Sequence, residues 1–118
     1  VCPEVMGGLP TPRLPSEISG GDGISVLKGD ARVLDSQGND VTPQFLNGAR
    51  ACAEVAKLNG VTRVILKDGS PSCGGSIIYD GSFSGRTVPG LGVTAAILKE
   101  GGIEIISVKD FISQAKHD

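Results

Sequence analysis

Helical and strand-like segments alternate along the second half of this chain, and that order limits the folds it can adopt. From Thr42 to about Leu58, apolar residues recur at spacings of four, three and four, which predicts a helix with one buried stripe. An almost continuously apolar, β-branched run follows at residues 61–67 and predicts a strand covered on both faces. The helical stripe consists of Phe45, Ala49, Cys52 and Ala56.

Further strands and helices continue the alternation. Residues 75–79 and 103–106 are short strand candidates, and residues 92–99 are expected to form a helix that ends at a pair of glycines. Ser107 and Asp110 have capping-box spacing at the start of a last helix. The order predicts a three-layer, Rossmann-like α/β domain with a mainly parallel sheet flanked by helices. The stripe of the last helix consists of Val108, Phe111, Ile112 and Ala115.

The first part of the chain is rich in proline and glycine and has no hydrophobic period. Within residues 1–23, the stretch 7–13 is expected to run as extended or turning backbone packed across a sheet edge. Arg13 and Glu17 can pair with each other within this segment. Residues 24–27 and 31–34 are then expected to form two short strands of a ribbon.

The composition of the 118 residues restricts what this single domain can bind. With no Trp, one Tyr and three Phe, its core must be aliphatic and drawn mainly from the second half. A net charge of −2, evenly spread, does not indicate a nucleic-acid or membrane partner, and no apolar stretch has membrane-spanning length. Three cysteines without disulfide spacing predict a reduced, cytoplasmic setting. The single histidine, His117, is expected in a solvated tail, which argues against a cysteine hydrolase.

Two of the cysteines lie in short runs rich in Pro, Ser and Gly. Such backbone can present N–H groups to an anion, and thiolates placed there can ligate a soft metal. Ligands of open α/β sheets bind beyond the carboxyl ends of the strands, and Cys73 follows the strand expected at residues 61–67. The residues alone leave open an anion cradle, a metal or cluster loop, or two ordinary small apolar side chains. The runs are Cys2-Pro3-Glu4 and Ser70-Pro71-Ser72-Cys73-Gly74.

Other candidate residues have two readings each. Residues 79–85 form either a polar turn with an aromatic plug or a wall for a planar ligand, with a ring face from Tyr79 or Phe83. Glu4 is either an ordinary surface carboxylate or an acid–base group next to a thiolate. Cys52 lies on an apolar helical stripe, which favours a place in the core.

Five blocks of residues, in order, extend over nearly the whole chain. They are Cys2-Pro3-Glu4-Val5 with Gly7-Gly8-Leu9-Pro10-Thr11-Pro12-Arg13; Asp40-Val41-Thr42 with Phe45 and Gly48-Ala49; Leu66-Lys67 with Ser70-Pro71-Ser72-Cys73-Gly74; Tyr79-Asp80-Gly81-Ser82-Phe83-Ser84-Gly85; and Gly90-Leu91-Gly92-Val93-Thr94-Ala95-Ala96. Together these blocks closely resemble the thiouracil desulfidase family.

The resemblance implies a specific chemistry. It implies an oxygen-sensitive 4Fe–4S cluster held by three cysteines, with one iron open to the sulfur of a thiolated uracil, as free base or nucleoside. Water then replaces that sulfur, and sulfide leaves without net redox change. On this chain Cys2 and Cys73 match ligand positions, while Glu4 and Ser70 match residues proposed to move protons and orient the base. The implied substrate contacts are Ser72, Tyr79, Asp80, Ser82, Phe83 and Ser84.

The chain departs from the family's pattern in one respect. The family's third cysteine lies in an upstream segment, after a first strand, and residues 1–118 contain no match to it. Cys52 is not expected to replace it, because its stripe points into the core. We therefore expect this domain to lack its N-terminal strand, to bind no intact cluster or only a labile one, and to lack desulfidase activity.

The missing first strand and the glycine-rich loops lead to two further expectations. An exposed strand edge could pair with another copy of the chain. The alternatives to catalysis are a non-catalytic small-molecule or anion-binding module built on the same glycine loops, and an iron–sulfur protein for redox sensing or sulfur transfer.

Overall fold

Two antiparallel strand pairs and one parallel pair, connected by helices, make up the part of the chain that the structure describes. The structure is a computed structural model and describes residues 7–8, 14–67 and 69–117. Strand β1 pairs with β2 and β4 with β5, both antiparallel, whereas β3 pairs with β6 in parallel. In chain order the elements are β1 (Ser16–Ser19), α1 (Gly23–Leu27), β2 (Arg32–Asp35), α2 (Thr42–Leu58), β3 (Arg63–Leu66), β4 (Ile77–Tyr79), β5 (Thr87–Pro89), α3 (Val93–Glu100), β6 (Glu104–Ser107) and α4 (Val108–His117).

The mixed α/β class is as predicted, but the mainly parallel sheet is not found among the described residues. Parallel strands need a long crossover, and residues 67–103 supply one between β3 and β6. The loop between β4 and β5 is too short for a crossover, so these strands form a hairpin. A single parallel bridge between Gly69 and Ile78 places this hairpin beside the end of β3.

Strand β3 is packed on one face, whereas the sequence predicted cover on both. Val64 and Leu66 are half-buried, while Arg63 and Ile65 are exposed, and Ile65 is 45% accessible. Arg63 donates its Nε–H to Glu104 Oε2 at 3.0 Å across the β3–β6 pair. Within the described residues this strand therefore has one covered face and one open face. The apolar run at residues 61–67 predicted more burial than these residues have.

Residues 24–27 belong to the helix α1, and the prediction of a strand there is wrong. Asp22 is the N-cap, because its Oδ1 accepts the N–H of Ser25 at 3.1 Å. Gly23 donates its N–H to the carbonyl of Leu91 at 2.7 Å, which ties the start of this helix to the segment before α3. The β-branched residues suggested a strand, but the cap at Asp22 determines the local structure.

The predicted aliphatic core is present and contains one aromatic side chain, that of Phe45. It draws on both halves of the chain rather than mainly on the second, because the β1–β2 pair and α1 pack against α2 and α3. The stripe of α2 is buried as predicted at Phe45, Ala49 and Ala56, while Cys52 is half-buried. The buried cluster comprises Ile18, Val26, Ala31, Val33, Phe45, Ala49, Ile78 and Val93.

Helix α4 begins where the capping spacing predicts. The N–H of Asp110 donates to Ser107 Oγ at 3.2 Å. Its apolar stripe is more open than predicted, since Val108, Phe111 and Ile112 are all exposed. None of the helices in the described ranges is both long enough and apolar enough to cross a membrane.

Candidate active site

The Cys73 loop, residues 69–76, connects β3 to β4 and folds around the side chain of Ser70. Ser70 Oγ accepts the N–H groups of Ser72 and Cys73, each at 3.1 Å. The carbonyl of Ser70 accepts the N–H of Gly74 at 2.9 Å. The N–H groups of three successive residues therefore all donate to Ser70.

The same loop is bound to the first turn of α3. Val93 donates its N–H to the carbonyl of Pro71 at 2.8 Å, and Thr94 donates to the carbonyl of Ser72 at 2.8 Å. The first N–H groups of a helix have no partner within the helix, and no side chain caps α3. The loop carbonyls take that place, so the start of the helix and the loop form one hydrogen-bonded unit.

This arrangement bears on the anion cradle that the sequence left open. A cradle needs backbone N–H groups directed at the ligand. The amides of Ser72, Cys73 and Gly74 donate within the loop, and those of the first turn of α3 donate to loop carbonyls. The anion-binding reading therefore loses the donors on which it depends.

Ser72 lies in the interior, not at a pocket surface. It is 0% accessible, and its Oγ lies 2.7 Å from Thr94 Oγ1. The sequence resemblance assigned it to the substrate, whereas the structure places its hydroxyl in a buried pair that holds the loop against α3. Substrate contacts at this site are left to its neighbours in the chain.

Cys73 lines a cavity of about 200 Å³ between α2, β3 and α3. Cys52 lines the same cavity, so the helix that carries it does not direct it solely into the core. Apart from Thr94, the remaining walls are apolar and include Val55, Val64 and Leu98. Both thiols are half-buried. The cavity is therefore a sulfur-bearing site with little polar surface.

The donor chemistry of this cavity fits an iron–sulfur cluster. Cluster irons are bound by cysteine thiolates, and Cys73 presents its sulfur from an anchored turn into apolar surroundings. No group of three or more possible metal ligands occurs among the residues that the structure describes. Cys2, the other predicted ligand, and Glu4, the predicted acid–base group, both lie outside the described residues.

A second pocket, open and of about 540 Å³, lies on the other side of the Cys73 loop. Ser70 and Tyr79, two predicted site residues, both line it. The ring of Tyr79 lies against Gly69, since a Cβ placed there would be 3.4 Å from Tyr79 Cε2. Sequence reasoning did not assign Lys67 and Glu17 to this site, although both line the pocket.

The β4–β5 loop, residues 80–86, carries the remaining predicted substrate residues. Asp80 Oδ1 accepts the hydroxyl proton and the N–H of Ser82, and the hydroxyls of Ser82 and Ser84 are also hydrogen bonded. These bonds from Ser82 hold the pKa of Asp80 below its ordinary value. Phe83 has a φ of +57° and an exposed ring.

The structure does not bring all of these residues to one pocket. Asp80 lines a third, open pocket together with Asp22 and Ser25. Ser82 and Ser84 are exposed on the loop itself. Ser70 and Tyr79 are therefore the predicted site residues that share a described pocket, with the thiol of Cys73 on the opposite side of the same turn.

The fold and this site define an α/β protein that holds a thiol on an anchored turn between two pockets. The family described as 2-thiouracil desulfurase matches residues 1–110. A Bacillus subtilis (strain 168) relative, the uncharacterized protein YbbK, is 49% identical over 106 residues, which cover 90% of this chain and 70% of that protein. A solved structure, that of the 4Fe–4S-dependent thiouracil desulfidase TudS, matches with a TM-score of 0.83 and 39% identity over 98% of this chain and 70% of that one.

The chain belongs to the 2-thiouracil desulfurase family. The resemblance that the five sequence blocks indicated is thereby confirmed, as is the mixed α/β fold. The family and the solved relative indicate a thiouracil desulfidase, an enzyme that cleaves a carbon–sulfur bond with the help of a 4Fe–4S cluster.

Proposed function

We propose that the natural protein that carries this domain removes sulfur from a thiolated pyrimidine, as free base or nucleoside, by replacing it with the oxygen of water. The carbon–sulfur bond breaks, a carbon–oxygen bond forms, and sulfide leaves with no net oxidation or reduction. The observation that carries this proposal is the Cys73 loop, in which Ser70 Oγ lies 3.1 Å from the amide nitrogen of Cys73. One turn thus fixes a substrate-facing hydroxyl and a metal-binding thiol relative to each other.

Cys73 and Cys2 would be two of the three cysteine ligands of the cluster. When bound with an open iron, the cluster supplies a Lewis acid for the soft thione sulfur. The turn around Ser70 fixes the backbone of Cys73, because the N–H of Cys73 donates to Ser70 Oγ. Residues of this chain therefore hold one ligand of the cluster on the same turn as Ser70, which lines the open pocket.

The open pocket would hold the pyrimidine. Ser70 would position the base or the attacking water from the wall of this pocket, and Tyr79 offers a ring against which a planar base can lie. Glu4 would take the proton from that water as general base. Phe83, Asp80, Ser82 and Ser84 would reach the base from the β4–β5 loop, which follows Tyr79 in the chain.

A pair of cysteine variants tests this assignment in the natural protein that carries this sequence. Cys73→Ala is expected to abolish both the brown colour after anaerobic reconstitution and the release of sulfide from 2-thiouracil, because it removes a cluster ligand. Cys52→Ala is the matched control, since it removes a thiol from the same cavity and is expected to keep both. Sulfide release that persists in Cys73→Ala would contradict the proposal. A cluster that is retained without any sulfide release from thiolated bases would instead favour the redox-sensing alternative.

A further inference from the structure

Glu17 makes two hydrogen bonds that connect parts of the site far apart in sequence. Its Oε1 accepts the N–H of Gly81 at 3.0 Å and that of Phe83 at 3.2 Å. Glu17 lies on β1 and also lines the open pocket with Ser70 and Tyr79. One carboxylate therefore lies at the pocket and holds the loop that follows Tyr79. The sequence suggested a pair with Arg13, which lies outside the described residues.

The contact between the β4–β5 loop and β1 is close. A Cβ on Gly81 would lie 2.5 Å from the carbonyl oxygen of Ile18 and 3.0 Å from the Cα of Ser19, and Gly81 has a φ of +94°. Phe83 has a positive φ without being glycine, a conformation that persists only where surrounding contacts determine it. The bond from its N–H to Glu17 is such a contact.

We propose that Glu17 is a positioning residue for substrate binding. It fixes the β4–β5 loop on β1 and so sets the wall of the pocket at which the ring of Tyr79 stands. The inference rests on the proposed function, because it takes a thiolated pyrimidine as the occupant of that pocket. It adds a residue that acts through the loop and not on the reacting atoms.

Substitutions at Glu17 separate this role from a general effect on folding. Glu17→Ala leaves the amides of Gly81 and Phe83 without their acceptor, and we expect their hydrogen exchange to accelerate by roughly tenfold or more. Glu17→Gln keeps a carbonyl oxygen in that position and is expected to restore most of the protection. Glu104→Ala is the control, because it removes another carboxylate, exposed on the β3–β6 pair.

The second readout is an NMR titration of each variant with 2-thiouracil. Relative to the wild type, we expect Glu17→Ala to weaken binding by about fivefold to tenfold, since loss of one or two hydrogen bonds frees the loop, and Glu17→Gln to weaken it less. Unchanged exchange at Gly81 and Phe83 in Glu17→Ala would overturn the inference, as would faster exchange with unchanged affinity. A wild-type protein that does not bind 2-thiouracil would contradict the proposed function and the pocket half of the inference, while exchange would still decide whether Glu17 holds the loop.

Discussion

The Cys73 loop and the β4–β5 loop carry most of the predicted site residues but are held by different means. In the Cys73 loop, backbone groups bond to Ser70 and to the first turn of α3, and Ser72 is fully buried. In the β4–β5 loop, exposed side chains bond mainly to each other, and Glu17 supplies the attachment to β1. One loop is part of the interior, and the other lies on the surface.

This difference suits the two tasks that we propose for the loops. A metal ligand must be held within a fraction of an ångström, which requires a second layer of packed and hydrogen-bonded groups. A wall that receives and releases a planar base can be less stable locally, as substrate-binding loops generally are. The comparison predicts that substitutions in the Cys73 loop act on global stability, whereas those in the β4–β5 loop act locally.

The largest effect is expected from Gly92→Ala, at the junction of α3 with the Cys73 loop. A Cβ at residue 92 would lie 2.5 Å from the carbonyl carbon and oxygen of Ser72, although φ and ψ at Gly92 are ordinary. We expect a loss of roughly 3 kcal/mol in the free energy of unfolding, the upper end for overpacking. Urea denaturation followed by circular dichroism measures it.

The control for this variant lies at the other end of the same helix. Gly101 has a φ of −78°, and a Cβ there would meet its nearest neighbours at 3.4 Å and 3.7 Å, which is ordinary contact. Gly101→Ala is therefore expected to leave stability within about 0.5 kcal/mol of the wild type. Equal stabilities for the two variants would refute the close packing of loop on helix.

A smaller effect is expected when hydroxyls are removed from the two loops. Ser72→Ala leaves the buried Thr94 hydroxyl without its partner and should cost about 1–2 kcal/mol. Ser82→Ala, on the exposed loop, should change the free energy of unfolding by less than about 0.5 kcal/mol. Adding Thr94→Val to Ser72→Ala should recover part of the loss, because both partners are then apolar. If both serine variants lose equal stability, the contrast between the loops is wrong.

The smallest effect concerns the titration of Asp80. Hydrogen bonds from the hydroxyl and N–H of Ser82 hold its pKa below the ordinary value of 3.8. Because the folded pKa is the lower one, the stabilisation is fully present above 3.8 and is lost as the pH falls through the folded pKa. NMR titration of the carboxyl carbon should show the pKa of Asp80 moving up towards 3.8 in Ser82→Ala, and less in Arg86→Gln. An unshifted curve in Ser82→Ala would contradict this account.

The sequence predicted most of the helices and several of the strands. The stripe of α2, the start of α4 and the strands around residues 63–66 and 104–107 follow from hydrophobic period and capping residues, which are local signals. The helix α1 was missed because its β-branched residues outweighed the cap at Asp22. The antiparallel hairpin was missed because strand direction depends on partners that periodicity does not reveal.

The sequence predicts the arrangement of the site where the residues involved are close neighbours in the chain. Ser70 and Cys73 belong to one turn, so their proximity follows from three residues of separation. The roles of Ser72 and Glu17 depend on contacts with residues far along the chain. Ser72 contacts Thr94, and Glu17 contacts the β4–β5 loop. No local pattern marks such contacts, and a serine within a reactive motif reads as a substrate contact until its burial is known.

The hydrogen bonds from the first turn of α3 to the Cys73 loop have a consequence for assembly of the holoenzyme. These bonds join groups of the polypeptide only, so the conformation of the loop around Cys73 does not depend on a bound cluster. Insertion of the cluster therefore carries little conformational entropy cost at Cys73.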